Sequence, residues 1–251
     1  MVNLPDYRFD PLAYEREELA RPDEMDMIHG LANQVLKAAD ERKSARVLDL
    51  CCGTGLPTIR YYKHQNIVSI VGVDNCPPYL EFARERFAGD NRVVLEEGDA
   101  VTFDLPQGSW DIIAMCSAYH HIEDSRKLTF LKRVRDLLSQ NGVAIIGENI
   151  LPPYEQGDNA SYQNAVRIFY ESVLATADAA SEIPPDVRGL IQRVAQYGYD
   201  GDYEYKTDIS TFLNFLRLSG LRIRHSEKVW PHSGPMCHTT GGNYVFVVAA
   251  T

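Results

Sequence analysis

Apolar positions follow two rhythms along this chain of 251 residues. Over 25–39, MDMIHGLANQVLKAA, the residues Met27, Ile28, Leu31, Val35 and Leu36 recur at helical spacing and form one stripe. Short, dense apolar runs follow: ARVLDL (45–50), IVSIVGVD (67–74), RVVLEEGD (92–99), WDIIAMC (110–116) and VAIIGEN (143–149). Each has the length of a strand buried on both faces. Between them the pattern predicts a helix through TIRYYKH, a helix over 77–87 whose prolines suit its first turn, and a helix over 125–142 stopped by a glycine. A helix over 208–220 and strands over 221–230 and 243–250 end the chain, the two strands pairing antiparallel across a long polar loop.

Strands alternating with helices at this spacing imply an α/β domain, a parallel sheet with helices on both faces. Ligands on such sheets bind beyond the carboxyl ends of the strands. Asp49, Asp74, Asp99 and Cys116 all fall at predicted strand ends, so one sheet edge collects them. Residues 150–206 break the rhythm: they are mostly helical, rich in tyrosine, and placed to lie over that edge. The organisation expected is one domain over 1–251. It has an N-terminal lid and first helix (1–40), a ligand-binding core (45–150), a helical cap insertion (150–206) and the end of the sheet (207–251).

The net charge of −10 gives no general attraction to a nucleic-acid backbone, so a nucleic-acid partner is not expected. No apolar run approaches the length needed to span a bilayer, and the first residues lack a basic-then-apolar leader pattern. Five cysteines form neither a disulfide framework nor a paired metal motif, which suits a reducing cytoplasm.

The chemistry starts at VLDLCCGTGLPT (47–58). Gly53 and Gly55 allow a sharp turn and close approach of a ligand. Asp74, about twenty residues on at the end of the next strand, stands where an acid hydrogen-bonds ribose hydroxyls. A dinucleotide fits poorly, because the third glycine of G-x-G-x-x-G is replaced by Thr58, and no lysine follows to make a P-loop. Asp49 would also set a negative charge beside a diphosphate, at a cost of several kcal/mol, roughly, if desolvated. A nucleoside with a cationic amino-acid end suits Asp49, Asp74 and Asp99 together.

VLDLCCGTG, VGVDNCPPYLEFAR, EEGDAVTF and WDIIAMCSAYHHIED, in order over about 45–150, resemble successive motifs of the class I S-adenosylmethionine-dependent methyltransferases. That resemblance implies a Rossmann-like three-layer sandwich, a mostly parallel seven-stranded sheet with an antiparallel last strand. It implies S-adenosylmethionine as cofactor and S-adenosylhomocysteine as product. It sets Asp49, Cys51, Gly53 and Gly55 by the methionine moiety, Asp74 with Asn75 at the ribose, Asp99 with Ala100 at the adenine, and Cys116 and Ser117 beside the sulfonium. Cys51 stands where the family usually has the first glycine of the loop, so only its backbone is expected to face the ligand.

Methyl transfer is an in-line displacement that depends chiefly on positioning, and a base helps only where the acceptor holds its proton tightly. His120 and His121, after the fourth strand, and Glu148, with Asn149 at the end of the fifth, are the catalytic candidates. Tyr7 and Tyr14 belong to a segment expected to fold over the cofactor, and Tyr154, Tyr170, Trp230 and His232 are candidates for the acceptor pocket. Around 230–242, Trp230, His232, Cys237 and His238 show no firm metal-ligand spacing, and no metal is expected. The expectation is an enzyme that methylates an oxygen or nitrogen of a small aromatic or heterocyclic metabolite. Two alternatives keep the fold: a carboxy-S-adenosylmethionine synthase, whose extra carboxylate needs a cation to which no arginine is assigned, Arg167 and Arg188 being the candidates, and a non-catalytic cofactor-binding module.

Overall fold

In a computed structural model, which describes residues 9–180, 183–231 and 241–251, seven strands form one sheet in the order β3-β2-β1-β4-β5-β7-β6. They are β1 (Ala45–Leu50), β2 (Ile67–Asp74), β3 (Val93–Glu97), β4 (Trp110–Cys116), β5 (Leu138–Ile150), β6 (Leu221–Trp230) and β7 (Gly242–Ala250). The first five pair in parallel, and β7 runs antiparallel to both β5 and β6. The strand order reverses between β1 and β4, which opens a crevice beyond their carboxyl ends.

The period of two along each strand decides which layer a side chain enters. Leu48, Leu50, Ile113, Met115, Ala144, Ile146, Phe246 and Val248 face a core closed by α4 (Asp124–Leu137) and α7 (Ile209–Ser219). Val47, Ile112, Ala114, Ile145 and Val245 face the opposite core, closed by α2 (Pro22–Asp40). The predicted stripe of α2 is buried there through Met27, Leu31 and Val35. Helix α3 (Pro77–Arg86) follows β2 and begins on a proline.

A third cluster lies off the sheet. Helices α5 (Asn159–Ala180) and α6 (Pro185–Asp200) pack together through Val166, Phe169, Tyr170, Val187, Leu190, Ile191 and Val194. Ala13 of α1 (Pro11–Ala20) and Trp230 join that cluster. The insertion thus has its own small core.

Two predicted helices change. TIRYYKH forms only a 3-10 turn over Thr58–Arg60, because Tyr61 drops into the core. Helix α4 stops at Leu137, and β5 begins at Leu138, opposite Trp110 across a bulge. Gly142 therefore serves that bulge and is not a helix stop: a Cβ there would lie 2.6 Å from the Trp110 carbonyl oxygen. Among the described residues no helix is long and apolar enough to cross a membrane.

Candidate active site

The carboxyl ends of β1, β2, β3 and β4 open into a cavity of about 390 Å³, a size that suits a small-molecule site. Cys51, Gly53, Asp74, Asn75, Asp99, Ala100, Cys116, Ser117, His120, His121, Tyr14 and Tyr170 all line it, as does Asn149. Three non-glycine residues of the described chain have positive φ: Cys51, Ser117 and Tyr203. All three line this cavity. Strained backbone held by its surroundings is concentrated where ligands are gripped.

On the floor, Asp74 accepts the backbone N–H of Gly53 at 2.8 Å and that of Cys76 at 2.9 Å, one on each oxygen. Each oxygen keeps a lone pair for a further donor, such as a ribose hydroxyl. Burial nonetheless pushes the Asp74 carboxyl up. Asp99 accepts Val101 N–H at 2.7 Å and the Arg126 guanidinium at 2.6 Å. Partial burial works to raise its carboxyl, but the Arg126 hydrogen bond holds it below the ordinary range. These carboxylates and the glycine turn fit a nucleoside with hydroxyl and amine donors.

Asp49 is elsewhere. Its place in the strand alternation puts it on the α2 side of the sheet, where it accepts the hydroxyls of Thr58 and Tyr61. It does not line the cavity, so the direct charge contact expected of it is not formed. Burial holds its carboxyl up at about 6. Gly55 also stands back from the cavity: with φ of +74° and Phe87 only 2.4 Å from where a Cβ would be, it shapes the loop from behind.

The negative charge facing the cavity comes instead from the N-terminal helices. Glu17 and Glu18 of α1 and Glu24 of α2 line it with Arg21, which joins the two helices. Arg21 is 3% exposed and bonds three carboxylates: Glu17 at 2.9 Å, Asp23 at 2.7 Å and Glu24 at 2.9 Å. Burial raises the carboxyls of Glu17, Glu18 and Glu24. Glu24 also accepts the Ser117 hydroxyl at 2.7 Å and the Asn149 amide at 2.8 Å, which ties the helices to the ends of β4 and β5. Apolar patterning could not reveal α1, because its buried face is Ala13, Glu17 and Glu18. The available signal was charge at helical spacing, 17, 21 and 24.

On the cap side, residues 203–207 cross the turn that carries the histidines. Tyr205 N–H bonds the His120 carbonyl at 2.6 Å, and Lys127 bonds the Tyr205 carbonyl. His120 Nδ1 lies 2.5 Å from Glu148, and His121 Nδ1 lies 2.9 Å from the Tyr203 carbonyl. Lys206 bridges Glu204 at 2.7 Å and Asn149 at 3.1 Å. Burial raises Glu148 to about 7, and burial together with Lys206 lowers His120. Burial also works to raise Glu204, but Lys206 overrides it and holds the carboxyl at about 2. Glu148 sits behind His120 and does not reach the cavity, nor do Tyr154 and Trp230. Tyr154 packs on Tyr162, and the Trp230 indole bonds Thr176 beneath the cap. Tyr7 and His232 lie outside the described residues.

Residues 47–142 match the family model for a methyltransferase domain. An uncharacterised methyltransferase of Mycobacterium tuberculosis is 32% identical over 111 residues, which are 44% of this chain and 54% of that one. The 27-O-demethylrifamycin SV methyltransferase of Amycolatopsis mediterranei is 29% identical over 119 residues, 46% of this chain and 43% of that one. The chain thus spans about half the length of the curated relatives it matches. Among solved structures, the mitomycin 7-O-methyltransferase superposes with a TM-score of 0.57 at 16% identity, covering 91% of this chain and 55% of that one. Motifs, strand order and family match agree on this much: residues 47–142 are similar to a methyltransferase domain, and the fold is the one seen in solved S-adenosylmethionine-dependent methyltransferases.

Proposed function

We propose that this chain transfers the methyl group of S-adenosylmethionine to an oxygen or nitrogen of a small, aromatic or heterocyclic metabolite. One observation carries the reading: a single cavity runs from Asp74 and Asp99 on the sheet edge to Tyr170, Val194 and Lys206 under the cap. The nucleoside end is provided for by carboxylates, and the far end is walled by tyrosines and an aliphatic side chain, a setting for a flat acceptor.

The bound cofactor supplies an electrophilic methyl group on a sulfonium. Asp74 would accept from the ribose, Asp99 and Ala100 would border the adenine, and Cys116 and Ser117 would flank the sulfur. Burial raises the thiols of Cys51 and Cys116 well above their ordinary value, so neither competes with the acceptor as a thiolate. Glu18 and Glu24 present carboxyl oxygens to the cavity, and a cationic cofactor end bound beside them would favour the charged form that burial otherwise disfavours, the role first looked for in Asp49. Helices α1 and α2 act as the lid, and α5 and α6 as the cap, excluding water and aligning acceptor with methyl. His120, whose Nδ1 is held by Glu148, presents Nε2 to take the acceptor's proton where one must leave.

Arg167 is paired with Glu171 and Arg188 with Asp178, and neither lines the cavity, so these two do not provide the cation that a carboxylated cofactor needs. The test is calorimetry with S-adenosylhomocysteine, then incubation with methyl-deuterated cofactor and a panel of phenols, flavonoid-like polyols and N-heterocycles. A labelled product from at least one acceptor is expected. Failure to bind S-adenosylhomocysteine overturns the reading.

A further inference from the structure

The cap-side wall of the cavity holds a constellation that methyl transfer from a sulfonium does not itself require. His120, His121 and Glu204 each offer one donor atom, and these atoms lie within 4.8 Å of one another. All three residues line the cavity.

Both imidazoles are oriented from behind. His120 donates Nδ1–H to Glu148 at 2.5 Å. The same carboxylate accepts the backbone N–H groups of Tyr119 and Asn149, so it acts as an acceptor on both oxygens. His121 donates Nδ1–H to the Tyr203 carbonyl, which can only accept. Each ring is left with the Nε2 lone pair, and a histidine fixed through its other nitrogen by a carboxylate is the usual arrangement of a metal ligand. His120 already has it. The His121 nitrogen facing Glu204, 4.0 Å from Oε1, is the Nδ1 held by Tyr203, so His121 must turn its ring to ligate.

The spacing is close to what an ion needs. His120 Nε2 stands 3.8 Å from Glu204 Oε2. Zinc-ligand bonds of about 2.0–2.2 Å require donors roughly 3.2–3.6 Å apart. His121, whose side chain is 27% exposed, has room for the ring turn that brings a free nitrogen toward Glu204. Glu204 is shared: Oε2 accepts Lys206 at 2.7 Å and Tyr170 at 3.3 Å, while Oε1 is the oxygen nearer His121.

We propose that His120, His121 and Glu204 form a binding site for a divalent transition-metal ion of the zinc class, with Glu148 and the Tyr203 carbonyl as supports and open positions toward the acceptor. Two imidazoles and one carboxylate suit such an ion and leave room for substrate. Its catalytic role rests on the methyl-transfer reading: an acceptor oxygen or nitrogen on the ion would lose its proton more readily. With the ion bound His120 is a ligand, and only in the ion-free chain is its Nε2 left to act as the base proposed above. Lys206 competes for Glu204 and tunes the site. Sequence spacing hides the cluster, because Glu204 stands far along the chain from the histidine pair.

The test uses chelator-treated full chain titrated with Zn(II), and with Co(II) as a spectroscopic probe, followed by calorimetry and visible absorption. Expected is one ion per chain, with cobalt bands of a nitrogen-oxygen site. His121→Ala and Glu204→Gln should each weaken binding by about tenfold or more, and Lys206→Met should tighten it. No binding, or undiminished binding in both ligand variants, overturns the site and leaves His120 as a base. S-adenosylhomocysteine affinity measured on the same samples keeps the two readings apart: its absence sinks methyl transfer while the ion count stands by itself.

Discussion

The floor and the roof of the cavity are held by different physics. On the floor, Asp74 and Asp99 are fixed by backbone N–H groups of their own or adjoining loops, Gly53, Cys76 and Val101. A carboxylate satisfied this way needs no distant partner. In the roof, buried polar groups hold one another: locally, Arg21 with Glu17, Asp23 and Glu24, and Lys206 with Glu204, and across the chain through Asn149, which joins Glu24 to Lys206. Removing one floor partner exposes a loop, whereas removing one roof partner strands a buried charge. The floor is therefore expected to govern affinity, and the roof stability and closure.

The largest expected effect follows from the roof. Arg21→Met leaves three buried carboxylates without their common cation, and breaking such an arrangement costs about 3–5 kcal/mol. For a chain of this size that lowers the melting temperature by about 10 °C. Thermal unfolding with and without S-adenosylhomocysteine measures it. A loss below about 1 kcal/mol would mean that the acids take up protons at no cost, and the contrast between roof and floor would collapse.

Two buried acids sharpen the contrast by sign. Asp49, beneath the floor, has no cation, and burial lifts its carboxyl from an ordinary 3.8 to about 6. The folded chain then binds that proton more tightly than the unfolded chain does. Its contribution is fully present below about pH 4 and is lost as pH rises through about 6, on the order of 3 kcal/mol. Glu204, in the roof, has Lys206, and its carboxyl is held at about 2. Its contribution is present above its ordinary value of 4.5 and is lost as pH falls toward 2. Urea unfolding across this range should show Asp49→Asn flattening the loss of stability between about pH 4 and about pH 6. An unchanged slope would place the effect in another group.

The same division explains what the chain revealed beforehand. The seven strands, their order of secondary elements and the antiparallel last strand were legible because dense apolar runs and period-two alternation are local signals. That Asp74, Asp99 and Ser117 would face the cavity was legible for the same reason, each standing at a strand end beside its own turn. Asp49 was placed at the right strand end but on the wrong face: alternation from Val47 sends it toward Tyr61. Glu17, Arg21, Glu204 and Lys206 were missed because their burial depends on contacts between segments remote in sequence. Helix α1 shows the difficulty most sharply, since its inward face is acidic and imitates a solvated one.

A smaller effect belongs to Asp74. Asp74→Asn removes the charge that, on the proposed function, strengthens bonds to the ribose hydroxyls, while preserving the shape of the side chain. S-adenosylhomocysteine should bind about 10- to 100-fold more weakly, or roughly 1.4–2.8 kcal/mol, in calorimetry. Stability should change little beside Arg21→Met. If the melting temperature falls as far as in that variant, the floor depends on buried charge as the roof does.

The smallest effect separates an exposed pair from a buried network. Arg126 and Asp99 are 2.6 Å apart, but each side chain is 37% exposed. Solvent-screened pairs of this kind contribute about 0–1 kcal/mol. Asp99 keeps its Val101 N–H after Arg126→Met, so its carboxylate stays oriented toward the cavity although the guanidinium is gone. Affinity for S-adenosylhomocysteine should change by less than about fivefold, and added salt should shrink even that in the parent protein. A hundredfold loss would show Arg126 itself gripping the ligand. The floor would then share the roof's reliance on a cation, and the distinction between the two would have to be drawn at Asp74 alone.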